Sequence, residues 1–289
     1  MIHLFLLGKK GLESIEGLNP VYFKNISALI IGNDKEVIND YAEEIETFAK
    51  SQNIPYIFRN QTLPETIAQN TLNIAIGWRW LIPLDVPLIV FHDSILPQYR
   101  GFNPLVSALI NGDEQIGVTA LFGTDEFDKG AIIGQRIIPI GYPIKIEQAI
   151  EAIAKEYAVL LQQIILNFTA GSLEGKIQDE SQATFSLWRD EEDYQIDWSL
   201  DSMEIKRTID AVGFPYKGAC TNYEETKVRI FDAEVWPDVN IINRTAGKVL
   251  FKHEDAYIIV CGKGLLKIKD FFSDNGEKLT MNKFRLRFK

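Results

Sequence analysis

The sequence predicts an α/β fold: a mostly parallel sheet with helices on both faces, followed by a small β-rich domain. Three observations lead there. Apolar runs of strand length recur through the first 140 residues, at 2–7, 26–31, 54–58, 72–76, 86–90 and 131–140. Segments of helical period lie among them, and strands alternating with helices build parallel sheets through right-handed crossovers. Past residue 185 the runs become short and are divided by turn residues, as in a small barrel or open sheet.

Ile2 to Leu7 reads as the first strand and stops at Gly8. The Gly8-Lys9-Lys10-Gly11 that follows lacks the Gly-x-Gly-x-x-Gly spacing of a dinucleotide-binding turn. Ile26 to Ile31 is the second strand, closed by Gly32-Asn33-Asp34. Asp34 suits the N-cap of a helix over 35–52, in which Val37, Ile38, Tyr41, Ile45, Phe48 and Ala49 keep near-helical spacing. Strands follow at 54–58 and 72–76. Val86 to Val90 is apolar throughout, as a strand buried on both faces is. Pro104 takes the first position of a helix that begins near Asn103 and ends at Asn111-Gly112-Asp113. After the strand 131–140, an amphipathic helix runs from about Ile146 to Phe168, with Ile146, Ile150, Ile153, Tyr157, Leu161 and Ile164 in its apolar stripe. Gly171 ends it. Residues 171–185 are polar, which places the domain boundary there: a Rossmann-like domain over 1–185, then 186–289.

In the second domain Ser199 precedes a helix from Leu200 to Val212, stopped by Gly213-Phe214-Pro215. Strands are expected at 228–236, 247–251, 256–260 and 265–271, together forming a small OB-like β-barrel or open sheet. The last seven residues, from Lys283 to Lys289, alternate charged with aromatic and aliphatic side chains and read as a half-exposed strand.

Composition narrows the function. The 289 residues are 46% hydrophobic, with a mean hydropathy of −0.05, as in ordinary water-soluble domains. No apolar segment is long enough to span a bilayer. MIHLFLLGKK is too short an apolar run for a secretory leader. Cys220 and Cys261 lie far apart and match no metal spacing, so both are expected as reduced thiols in a cytoplasmic protein, with no metal site. The net charge is −10, whereas nucleic-acid binding rests on Lys and Arg meeting phosphates. A nucleic-acid partner is therefore not expected.

Two loops carry the chemistry. The strand 86–90 is followed by His92, Asp93 and Ser94, and then by Pro97, Arg100 and Gly101. Ligands in open α/β sheets bind beyond the carboxyl ends of strands, and imidazole handles protons near neutrality. A second loop, GTDEFDKGAI over 123–132, follows the apolar run from Gly117 to Phe122. The two loops are expected at the same sheet edge, where His92 and Asp128 form an acid–base pair. Gly77-Trp78-Arg79-Trp80-Leu81-Ile82-Pro83 after the strand 72–76 offers an apolar slot with exposed backbone amides.

His92-Asp93-Ser94-Ile95-Leu96-Pro97-Gln98-Tyr99-Arg100-Gly101, together with Thr124 to Gly130, resembles the signature of the folate-dependent formyltransferases. Their sequences read His-x-Ser-Leu-Leu-Pro-x-x-Arg-Gly and then Asp-x-Gly. The resemblance covers about residue 70 to the C-terminus, and is strongest over 72–140. It implies a transferase that moves a formyl group from 10-formyltetrahydrofolate to an amine. It implies that His92 is the general acid/base and that Asp128 orients and stabilises it. It carries pterin binding to Trp80, Leu81, Ile82, Asp125 and Phe127, and assigns Tyr99, Arg100 and Gly101 to the shape of the loop. One departure stands out. The family places an Asn two residues before the His, where its amide contacts the formyl oxygen, and here that position is Val90, which has no donor. The resemblance leaves three acceptors: a glycinamide ribonucleotide, a methionyl-tRNA, and a nucleotide-linked amino sugar. The β domain disfavours the first and the acidic charge the second, so the sugar is the expected partner, with a homodimer as the assembly. A folate- or sugar-binding relative without turnover is the alternative that Val90 keeps open.

Overall fold

The structure is a computed structural model that describes residues 1–35, 37, 39–62, 71–281, 283 and 285–289. Two compact units divide the chain. The first comprises 1–105, 114–140 and 149–187; the second comprises 106–113, 141–148 and 188–289.

In the first unit a seven-stranded sheet is built from β1 (Ile2–Leu6), β2 (Ile26–Ile31), β3 (Tyr56–Phe58), β4 (Leu72–Ile76), β5 (Leu88–His92), β7 (Gln115–Phe122) and β8 (Ile132–Pro139), in the order β3-β2-β1-β4-β5-β7-β8. From β3 to β5 all pairings are parallel; β7 then runs antiparallel to β5, and β8 antiparallel to β7. The sheet is thus the mostly parallel one expected, with two strands reversed at one edge. Its central strands β2 and β4 are buried along their whole length, whereas the edge strands β3 and β8 are partly exposed. Each fully buried Ile or Leu of these central strands stabilises the fold by about 1.5–3 kcal/mol.

Helices α1 (Gly8–Glu16), α2 (Ala42–Ser51) and most of α4 (Ile146–Thr169) belong to the same unit, whereas α3 (Pro104–Asn111) falls mostly in the second. The α4 helix matches the apolar stripe from Ile146 closely. Phe91 of β5 lies 5.6 Å from the Tyr157 ring of α4. Side chains alternate along a strand, so Phe91 and Asp93 face α4 while Val90 and His92 face the other way.

Several expected boundaries move. Helix α1 was not expected, because only Leu12 and Ile15 mark its apolar face. Helix α2 starts at Ala42 rather than 35. Tyr41 is left-handed, with φ 58°, and the side chains of Asn39 and Asp40 accept from Tyr41 N and Ala42 N at 3.0 Å. Such local turns compete with helix. Asp34 is therefore not its cap, and Ile38 of the expected stripe lies outside the described residues. Strand β5 ends on His92, which pairs with Thr119, rather than before it.

The second unit holds α5 (Ser202–Ala211) and two four-stranded sheets. One contains β10 (Ala219–Tyr223), β11 (Thr226–Ile230), β16 (Phe271–Phe272) and β17 (Lys278–Leu279). The other contains β12 (Glu234–Trp236), β13 (Val249–His253), β14 (Ala256–Val260) and β15 (Leu265–Ile268). The expected strands 228–236 and 265–271 each break in two because the chain passes from one sheet to the other, at Phe231–Ala233 and at Lys269–Asp270. Chains turn corners of packed sheets in this way. Helix α5 starts at Ser202 rather than Leu200, and Asp201 caps it: its carboxylate accepts from Met203 N at 2.9 Å, and Glu204 reaches back to Asp201 N. Within the expected last strand, Phe284 lies outside the described residues. Arg287 and Phe288 form single bridges to Lys248 and Tyr223.

Candidate active site

A row of three polar residues crosses the sheet. His92, Thr119 and Gln135 stand opposite one another on β5, β7 and β8, and opposed residues of antiparallel strands share a face. The row seats the chain that follows β5. Thr119 Oγ1 donates to Ser94 O at 2.7 Å and accepts from Leu96 N at 3.2 Å. Gln135 Nε2 donates to Leu96 O and Thr119 Oγ1 at 2.8 and 2.9 Å. Ile95 lies over Gly117, where a Cβ would meet it at 2.7 Å. The loop is held from its far side too. Tyr99 N donates to Thr184 Oγ1 at 2.9 Å, and β6 (Arg100–Gly101) pairs with β9 (Phe185–Ser186).

That loop brings the Tyr99 carbonyl to His92, whose Nε2 lies 2.8 Å from Tyr99 O. A carbonyl only accepts, so Nε2 carries the hydrogen. Nδ1 is the nitrogen left to exchange a proton, and it stands 3.5 Å from Asp128 Oδ1. The imidazole is buried, with 7% of the residue exposed. Gly101 N donates to Asp128 Oδ2 at 2.8 Å, so one carboxylate oxygen is fixed by backbone and the other faces the ring.

The two sequence loops do not leave the sheet at one edge. Gly123 N donates to Leu88 O at 2.7 Å, beside the start of β5, because β7 is antiparallel to it. Residues 124–130 reach His92 by folding back over the face that bears Val90. Gly130 makes the return possible: a Cβ there would lie 1.7 Å from Phe122 O. Gln178 Nε2 donates to Asp128 O and Gly130 O at 2.6 and 2.8 Å. Arg100 is buried, with 1% exposed; its Nε and Nη2 donate to Gln178 Oε1 at 3.2 and 2.9 Å, and Nη1 and Nη2 to Glu180 at 2.9 and 2.8 Å.

The other expected site residues divide. Trp80 packs edge-on to Trp78, with ring centroids 4.9 Å apart, and lies over Gly32 with the Arg59 guanidinium 4.2 Å from its ring. Leu81 is 91% exposed and Phe127 69% exposed, with the Phe102 ring 6.0 Å from that of Phe127. Asp125 is exposed and Ile82 partly so. On the face opposite His92, Asp93 is bound by Lys10 and by the Tyr157 hydroxyl. Burial, then the Asp93 carboxylate, push that hydroxyl well above its ordinary range, so it remains a donor.

Sequence reasoning missed Thr119, Gln135, Gln178 and Thr184. Thr119 left a signal, a single hydroxyl inside the run from Gly117 to Phe122, because a buried polar group must be bonded. Gln178 and Thr184 left none, since they lie in the polar segment 171–185 without periodicity.

Among the described residues no helix is long and apolar enough to cross a membrane, and no group of three or more His, Cys, Asp or Glu is placed to hold a metal. Cys220 and Cys261 are free and buried.

Residues 70–165 match the formyl transferase family model and 189–288 the model of its C-terminal domain, together about two thirds of the chain. A methionyl-tRNA formyltransferase from Streptococcus sanguinis (strain SK36) is 32% identical over 178 residues, 62% of this chain and 56% of that protein. Another, from Herpetosiphon aurantiacus, is 26% identical over 194 residues, 67% of this chain and 62% of that protein. The chain thus spans less than two thirds of the length of these relatives. Among solved structures, WlaRD, a sugar 3N-formyl transferase in the presence of dTDP and 5-N-formyl-THF, superposes with a TM-score of 0.67 at 19% identity, covering 98% of each chain. An N-formyltransferase from Helicobacter canadensis with folinic acid and dTDP-3-aminofucose gives 0.67 at 18% identity, covering 96% of this chain and 99% of that one. At these identities the likeness is one of fold.

Proposed function

The chain belongs to the formyl transferase family, and from that premise we propose that it is a folate-dependent N-formyltransferase whose acceptor is the amino group of a nucleotide-linked sugar. The observation that carries the reaction is the pair His92 Nδ1 and Asp128 Oδ1 at 3.5 Å. An amine that attacks a formyl carbon must shed a proton. His92 Nδ1 takes it as the new C–N bond forms, the Asp128 carboxylate stabilises the imidazolium beside it, and the same proton would pass to the departing donor nitrogen as its C–N bond to the formyl group breaks. Tyr99 O keeps the other ring nitrogen protonated, so the ring holds one orientation.

Folate fits the residues present. Leu81 and Phe127 are apolar yet stand in solvent, and a flat heteroaromatic would cover them. When bound, 10-formyltetrahydrofolate supplies the formyl group. Trp80, Leu81, Ile82, Asp125 and Phe127 would hold its pterin. Val90 shares the face of His92 but, as a valine, offers no hydrogen to the formyl oxygen.

The acidic charge of the chain supports a small acceptor over a tRNA. The sugar N-formyltransferases that share its fold support the same reading. The methionyl-tRNA reading is the second, favoured by the curated relatives. Turnover of 10-formyltetrahydrofolate with a panel of nucleotide-linked amino sugars, and separately with methionyl-tRNA, decides between them. Formylated sugar is expected. Formylation of the tRNA alone would move the acceptor to the second reading. A thermal shift with folate or sugar but no product from either acceptor would reduce the chain to a binder.

A further inference from the structure

We propose that Gln178 is a positioning residue for formyl transfer: its amide holds Asp128 at His92, and Arg100 sets the orientation of that amide. The inference rests on the roles of His92 and Asp128 proposed above.

Asp128 lies in a loop whose other side chains are turned outward. Residues 124–127 and Lys129 are exposed. Its own φ of 55° is left-handed, which aspartate tolerates better than most residues. A loop of this kind moves unless it is tied down, yet a proton-sharing pair must be held to within about 0.5 Å. The tie comes from Gln178, which is 7% exposed. One NH2 group spans two loop carbonyls, Asp128 O at 2.6 Å and Gly130 O at 2.8 Å, on either side of Lys129. The two bonds fix the backbone from which the Asp128 side chain departs.

The amide has one way to sit. Guanidinium offers only donors and carbonyls only acceptors, so the oxygen of Gln178 turns to Arg100 and its nitrogen to the loop. Arg100 is itself fixed through Glu180 and through Arg100 N to Thr184 O at 2.9 Å. The next residue, Gly101, donates its N–H to Asp128 Oδ2. The loop after β5 therefore holds Asp128 twice: directly through Gly101, and indirectly through Arg100 and Gln178. Gln178 belongs to neither sequence motif, so nothing in the two signatures assigns it.

Gln178→Glu tests this. It keeps the size and the Arg100 partner but aims a carboxylate oxygen at two carbonyls. Formyl-transfer kcat should fall about 10- to 100-fold, with KM for 10-formyltetrahydrofolate unchanged within about twofold. The pH–rate limb of the His92–Asp128 pair should move. In an Asp128→Asn background the same change should cost under about twofold, because Gln178 acts through Asp128. Amide exchange at 128–130 should quicken. Should Gln178→Glu not fold, Gln178→Met carries the same measurements. Full multiplication of the two losses in the double variant, or a kcat within about twofold of wild type, overturns the proposal. A wild-type chain without turnover defeats the transferase reading instead, and the exchange measurement then judges the clamp alone: unchanged protection at 128–130 overturns it.

Discussion

His92 presents Nδ1 to Asp128 Oδ1 at 3.5 Å while Nε2 donates to Tyr99 O at 2.8 Å. The ring thus meets an acceptor at both nitrogens, and the proton taken up on Nδ1 lands beside a carboxylate. His92→Gln and Asp128→Asn should each lower kcat for formyl transfer by about 10²–10⁴-fold, the usual contribution of a general acid–base group. Circular dichroism and thermal unfolding close to wild type would locate the loss in chemistry. A full-rate Asp128→Asn enzyme would remove the carboxylate from the mechanism.

Val90 lies two residues from His92 on the same face of β5. An amide at that position adds a hydrogen-bond donor where valine has none. Val90→Asn should raise kcat, by up to about 100-fold if it completes the site, since single oxyanion donors are worth about 10²–10³. Steady-state kinetics measure it; an unchanged rate would show that another donor already serves.

Gly130 has no room for a side chain, with Phe122 O 1.7 Å from the place of a Cβ. Gly130→Ala must therefore push the 124–130 loop off its return path. Formyl transfer should drop at least tenfold, about 1.4 kcal/mol or more in barrier. Gly171→Ala is the comparison. Its φ of 68° is left-handed but no atom lies near its Cβ, and activity should stay at the wild-type level.

Asp201 caps α5 and carries a testable pH dependence. The Met203 N–H, then Lys263, hold its carboxyl below the usual Asp range. A lowered value means that the cap contributes fully above the ordinary pKa of about 3.9 and that its contribution fades as pH falls through the folded value. Asp201→Ala should cost about 1 kcal/mol at pH 7. Urea unfolding at pH 7 and pH 3 should show the gap between variant and wild type narrowing in acid; a constant gap would mean that the charge has no part in it.

Cys261 is buried, and burial pushes its thiol up to about 12; burial likewise raises Cys220. Thiolate is the reactive form. Neither thiol should react with a disulfide reagent at pH 8 in the native protein, and both should react after denaturation. Rapid native labelling would mark an opening of the second unit.

How much of this was legible varies by element and for physical reasons. Strands β2 and β4 and helix α4 could be read closely, because each buries a regular apolar pattern that survives any arrangement around it. Helix α1 and the true start of α2 could not. One is too short to show a period, and the other is fixed by Asn39 and Asp40 bonding the backbone rather than by hydrophobicity. The strand runs 228–236 and 265–271 looked single because hydrophobicity continues through a corner that only sheet packing creates.

The sequence by itself determined the α/β class, the family, and the two loops that carry His92 and Asp128, since residue type and spacing hold that information locally. The tertiary structure decided how those loops meet. The reversal of β7 sends the second loop away from His92, and hydrogen bonds from Gly101 and Gln178, with the bare Cα of Gly130, bring it back. Such bonds join residues up to 50 positions apart in the chain. Their partners are polar groups with no period, so only the folded backbone reveals which of them meet.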